Sequence, residues 1–157
     1  VSNENALVDI LQKDLIFLNE EYSAIEDVIQ HVGQVMKEKN IVKDTYSDAV
    51  IDREKILPTG LSLSGQYGIA IPHTDSEHVN ESAIALITLK NPINVCSMIN
   101  PDESISVKIV MLLAIHDPKQ QVVILKELMG LFKDVDLLKK IENTKNPAGV
   151  FDLLKIK

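Results

Sequence analysis

Two apolar runs, residues 82–89 (SAIALITL) and 105–115 (ISVKIVMLLAI), constrain this chain more than any other feature. They are short and rich in Ile, Val and Leu, the composition of strands buried on both faces. A sheet covered on both sides needs helices above and below it, and the sequence supplies them in alternation with the strands. The implied fold class is α/β, a three-layer domain with a mixed, mostly parallel sheet flanked by helices. At 157 residues and 45% hydrophobic content, the chain has the size and apolar material for a single domain over 1–157.

The helices declare themselves by spacing. Ile25, Val28, Ile29, Val32, Val35 and Met36 fall on one face, and Ser23 with Glu26 has the S-x-x-E form of a capping box, so a helix is predicted over 24–39. A second opens near Asp44, carries Tyr46, Ala49, Val50 and Arg53, and is stopped by Pro58-Thr59-Gly60. Asp117-Pro118 marks a third, which runs to 133 with Val122, Leu125, Leu128, Met129 and Phe132 inward. Shorter helices are expected at 135–142 and 147–155. A short strand is expected at 15–18, within an otherwise mixed first 22 residues, and another at Ile69-Ala70-Ile71. The latter must stop at Pro72, which cannot donate to a ladder. The stretch TGLSLSGQYG reads as a Gly- and Ser-rich loop, and the segment around Asn91-Pro92 and Asn100-Pro101-Asp102 as a polar connection.

Charge and composition narrow the function classes. Net charge is −7, and no basic run exceeds the Lys139-Lys140 pair, so a nucleic-acid partner is not expected. The single Cys96 leaves no internal disulfide or CxxC site, and reads as a quiet, part-buried thiol. No apolar stretch approaches the roughly 18 residues of a membrane span, and VSNENALVDI has no signal layout. A cytoplasmic protein without membrane insertion is the expectation.

Four histidines are present, and AIPHTDSEH holds two of them. His73 follows a strand end, where α/β sheets expose reactive groups, and its ring titrates near neutrality; the competing reading is an ordinary turn residue. His78, with Asp75 and Glu77, offers zinc-compatible side chains beside His73 and His116, but the spacing matches no metal motif, so no metal is expected. His78 otherwise reads as a loop residue neighbouring His73, and His31 as structural. Arg53, the only arginine, is either a fork for phosphate or carboxylate or a helix residue paired with Asp52 or Glu54. Gln120 stands three residues after Asp117, where a capping-box glutamine is common. No G-x-S-x-G elbow supports a serine nucleophile.

Taken together, DTYSDAVIDREKILPTG, IAIPHTDSEHVNESAIAL and DPKQQVVILKELMGLF resemble the IIA component of the bacterial sugar phosphotransferase system (PTS). The class is the fructose–mannitol one, with most similarity to its galactitol-specific branch, over most of residues 25–140. The resemblance implies an α/β phosphocarrier, a phosphotransferase component that needs no cofactor. It implies that His73 takes a phosphoryl group from the carrier HPr and gives it to a cysteine of a IIB component, which links the chain to the membrane IIC component. It also implies that Arg53 neutralises the phosphate. Thr74 stands where the family usually has a small residue, and would narrow the pocket or add a hydroxyl donor. Gln120 stands where the mannitol branch has a second histidine; glutamine can donate a hydrogen bond but cannot become a cation. His78 or His116 are the alternatives for that place. A regulatory IIA-like domain, acting through phosphorylation-dependent protein binding, is the other reading that the resemblance admits.

Overall fold

A computed structural model of the chain describes residues 6–156. Five strands form one sheet: β1 (Leu11–Glu20), β2 (Gly60–Leu63), β3 (Tyr67–Ala70), β4 (Ala83–Cys96) and β5 (Ser104–Ala114). Their order across the sheet is β1-β4-β5-β3-β2. The β1/β4 and β3/β5 pairs are parallel, whereas β4/β5 and β2/β3 are antiparallel. The sheet is therefore mixed as expected, with parallel and antiparallel pairings in equal number among the described residues.

Helices α2 (Ile25–Glu38) and α3 (Tyr46–Ile56) cover one face, while α1 (Ala6–Ile10), α4 (Pro118–Leu131), α5 (Val135–Glu142) and α6 (Pro147–Ile156) cover the other. This two-sided burial explains the unbroken apolar runs. In β4, Ala85 and Ile87 pack toward α2 and α3, while Ile84 and Leu86 pack toward α4 to α6. Side chains alternate between faces, yet both faces are dry.

Several sequence expectations need correction. The TGLSLSGQYG segment is a β-hairpin: β2 and β3 pair from Gly60↔Ala70 to Leu63↔Tyr67, with positive φ at Gly65 and Gln66 making the turn. Strand β4 continues through Asn91-Pro92, because pairing with β1 ends at Leu89 and the β5 register shifts between Thr88 and Ile93. Proline is tolerated where no ladder bond is required of it. The polar connection thus shrinks to 97–103. Strand β1 is 10 residues long, and α1 precedes it. The Ser23–Glu26 box does not form; α2 starts one residue later, with an extended Ala24 at its cap and no side-chain cap bond. Helix α4 begins as expected, with Asp117 accepting from the Lys119 N–H and Pro118 in the first turn.

None of the described helices is long and apolar enough to cross a membrane. Backbones approach most closely at Gly68, where a Cβ would stand 1.9 Å from the Ser106 carbonyl oxygen of β5. Gly68→Ala must push β3 away from β5, and a loss of about 1–3 kcal/mol in urea denaturation is expected.

Candidate active site

Strand β3 ends against Pro72, whose missing N–H halts the ladder while its carbonyl still accepts from the Leu113 N–H of β5 at 3.0 Å. The chain must then reach β4, which lies on the far side of β5 in the sheet order. Residues 71–82 therefore cross the end of β5, beside the segment that leads into α4. Ligands in open α/β sheets gather at such crossings. His73 sits at the start of this one, partly exposed.

Its ring is oriented by the backbone. Nδ1 lies 2.8 Å from the Ile71 carbonyl oxygen. A carbonyl can only accept, so Nδ1 carries the proton and Nε2 keeps its lone pair. Burial holds the ring pKa below the ordinary 6.5; the Ile71 carbonyl opposes that shift, the Arg53 charge adds to it, and Asp75 pulls the other way. The arrangement is a neutral imidazole with a defined nucleophilic nitrogen.

Helix α3 contacts the chain on both sides of His73. Downstream, Arg53 Nη1 is 3.8 Å from Asp75 Oδ1, a long pair with an exposed carboxylate that contributes little to stability. Upstream, Glu54 is buried and its two oxygens face Thr59: Oε2 accepts from the backbone N–H at 3.0 Å and Oε1 from the hydroxyl at 2.9 Å. The Thr59 hydroxyl oxygen in turn accepts from the Ile71 N–H at 3.2 Å. This fold-back has a local cause. Leu57 precedes a proline and leaves helical geometry, which turns Thr59 toward the helix end. Burial raises the Glu54 pKa to about 7 despite the two Thr59 bonds, with Glu26 of α2 adding to the rise.

The remaining sequence candidates take separate places. Thr74 is buried. His78 Nδ1 is 2.8 Å from Thr45 Oγ1, before α3. His116 donates from Nδ1 to the Val79 carbonyl at 3.1 Å. Gln120 does not close a capping box: its Oε1 accepts from the Ser82 hydroxyl at 2.5 Å, and that hydroxyl accepts from the His116 N–H at 2.9 Å. No group of three or more His, Cys, Asp and Glu side chains suited to a metal forms among the described residues. Arg53 pairs with Asp75 rather than with Asp52 or Glu54. Cys96 is exposed, not part-buried, because the last residues of β4 alternate between core and solvent. His31 is also exposed, within 2.6 Å of the Tyr22 hydroxyl. Thr59 and Ser82 were not evident from periodicity, while Glu54 and Asp75 were legible only in other roles, as an Arg53 partner and a metal ligand.

Residues 9–157 match the family described as phosphoenolpyruvate-dependent sugar phosphotransferase system, EIIA 2. The chain belongs to this family. Among curated relatives, this EIIA chain is 34% identical over 115 residues to the PTS system galactitol-specific EIIA component of Escherichia coli K12, covering 73% of this chain and 75% of the relative. It is also 34% identical over 79 residues to the Bacillus subtilis transcriptional regulator ManR, covering 50% of this chain and 12% of that protein. The fold is shared with a chain of the complex of enzyme IIAMTL and phosphorylated enzyme IIBMTL from Escherichia coli. There the TM-score is 0.75 at 22% identity, covering 94% of this chain and 99% of the other.

In the EIIA chain, an NMR titration of the ring nitrogens should give His73 a midpoint below 6.5, with the proton on Nδ1 in the neutral form. Arg53→Gln should move that midpoint upward, since removing a neighbouring positive charge favours the imidazolium.

Proposed function

We propose that this EIIA chain is a phosphocarrier in sugar uptake, of the galactitol type, and that His73 carries the phosphoryl group. The observation that carries the reading is the ring itself: neutral, partly exposed, and held by the Ile71 carbonyl so that Nε2 is free to attack. Nε2 attacks phosphorus on phospho-HPr in line, and the bond from phosphorus to the donor histidine of HPr breaks as the new P–N bond forms. The Ile71 carbonyl, facing Nδ1–H, stabilises the positive charge that develops on the ring. A cysteine thiolate of IIB then attacks the same phosphorus, and Nε2 leaves with its lone pair restored.

Transfer of this kind needs placement and charge neutralisation more than covalent machinery. Arg53 supplies the charge, exchanging the loose Asp75 contact for phosphoryl oxygens. Gln120, whose side-chain oxygen is taken by Ser82, has its amide N–H groups left as donors, and Thr74, buried next to His73 in the chain, narrows the pocket. His78 and His116 already hold other groups, so they shape the loop rather than replace a second active-site histidine. The likeness to a IIA in complex with its phosphorylated IIB supports IIB as the acceptor, and HPr follows as the donor. This reading puts the chain in the cytoplasm, joined to the membrane IIC component through IIB.

A second reading, a regulatory domain that binds proteins according to its phosphorylation state, draws on the partial likeness to ManR. Labelling separates the two. With phosphoenolpyruvate, enzyme I and HPr, the wild type should acquire label and lose it to the cognate IIB. Label that is acquired but passed to no IIB, with retention on a regulatory protein instead, favours the second reading.

His73→Ala should abolish label uptake from phospho-HPr, and an alanine variant of full activity ends the proposal. Arg53→Lys keeps the charge but loses the fork, and should slow transfer on the order of tenfold rather than stop it. Unchanged kinetics in that variant remove Arg53 from the site.

A further inference from the structure

We propose that Glu54, acting through Thr59, is a positioning residue that fixes the orientation and tautomer of the His73 ring. The proposal rests on the phosphocarrier reading for its kinetic consequence, but its structural part stands on hydrogen-bond geometry alone.

The donors and acceptors at Thr59 admit one polarity. Its hydroxyl has one proton to give, and Glu54 Oε1 at 2.9 Å receives it. The hydroxyl oxygen is then free to accept, and the Ile71 N–H supplies the proton at 3.2 Å. The opposite polarity is unavailable, because an amide N–H cannot accept. Glu54 Oε2 takes the Thr59 N–H at 3.0 Å, which holds the threonine in place. Both groups of Ile71 are thereby committed in one direction: the N–H toward Thr59, the carbonyl toward His73 Nδ1 at 2.8 Å. Three side chains and one residue's backbone form a relay from α3 to the imidazole.

The chemistry of Glu54 favours this role over simple packing. Above pH about 7, where Glu54 is mostly ionised, its carboxylate presents two acceptors and both meet Thr59 donors; a glutamine presents one acceptor and one donor, so either the Thr59 N–H or its hydroxyl proton loses its acceptor. The carboxyl is 9% exposed, and no lysine, arginine or histidine pairs with it among the described residues. A buried acid without a cation is costly to keep, and an apolar side chain of similar volume would fill the space at least as well. What an apolar side chain cannot do is orient the Thr59 hydroxyl.

If the relay is cut, Ile71 loses its anchor and its carbonyl no longer holds the Nδ1 proton. The ring then returns toward the preference of free imidazole for a proton on Nε2, where attack by Nε2 is blocked. Glu54 and Thr59 are both buried and out of reach of phospho-HPr, so the loss falls on kcat and leaves KM alone.

The test compares wild type, Glu54→Gln, Thr59→Val and Thr59→Ser by long-range proton–nitrogen NMR of the His73 ring, alongside transfer kinetics from phospho-HPr. Circular dichroism and urea midpoints identify the folded variants. Wild type and Thr59→Ser should show the Nδ1–H form and equal transfer. Glu54→Gln and Thr59→Val should show a mixture of tautomers, with kcat lowered on the order of tenfold at constant KM. An Nε2–H ring in the wild type overturns the proposal without any variant. So do unchanged ring spectra in whichever of Glu54→Gln and Thr59→Val is folded. Normal wild-type transfer beside those unchanged spectra overturns the positioning role alone. A wild type with an Nδ1–H ring that takes no phosphoryl group overturns the carrier reading instead.

Discussion

The contact between the His73 ring and the Ile71 carbonyl is the constraint on which the site depends. It joins a residue in the buried end of a sheet to one that meets solvent. Because the carbonyl belongs to the last inward residue before Pro72, the position of the imidazole is inherited from the sheet rather than from the loop. The core on both faces therefore contributes to the chemistry indirectly. Ile69 packs toward α4 to α6 and Ala70 toward α2 and α3, so strand β3 is pinned from above and below before it delivers the histidine. Tyr46 adds a bond from α3 to the Leu113 carbonyl at 2.6 Å, which fixes the helix bearing Arg53 and Glu54 to the neighbouring strand.

Parts of this were legible in the residues. Pro72 signals a strand end by a rule that needs no tertiary information, and His73 follows it directly. Asp117-Pro118 does the same for α4. The contacts that tune the histidine were hidden, because neither Glu54 with Thr59 nor Arg53 with Asp75 repeats at a helical or strand period. They arise where the chain leaves one element and meets another. The hairpin of β2 and β3 was hidden for a different reason: glycine and serine read as loop, but Gly60 and Gly68 are needed where a Cβ would strike the backbone of a neighbour. Strand β4 outran its apolar run because Pro92 lies where the ladder is interrupted, so proline there interrupts nothing.

Electrostatics and membership of the EIIA 2 family fit together without strain. The chain carries −7 overall, yet its lone arginine lies close enough to His73 to affect the ring's ionisation. Burial favours the neutral form of the imidazole, and the guanidinium's carboxylate partner is exposed and 3.8 Å away, a loose pair. Gln120, in the first turn of α4, is engaged with Ser82.

The passage of residues 71–82 over the end of β5 sets how this fold tolerates changes in length. That segment spans a fixed gap between β3 and β4 and is tied to α3 at Asp75 and to the loop before α3 at His78. One residue more or fewer after His73 would leave the ring on its carbonyl but pull Asp75 and His78 off their partners. The 97–103 connection between β4 and β5 joins adjacent antiparallel strands and has no such gap to bridge. Insertions and deletions accumulating over evolution would therefore be absorbed at that tip and rejected at the crossing.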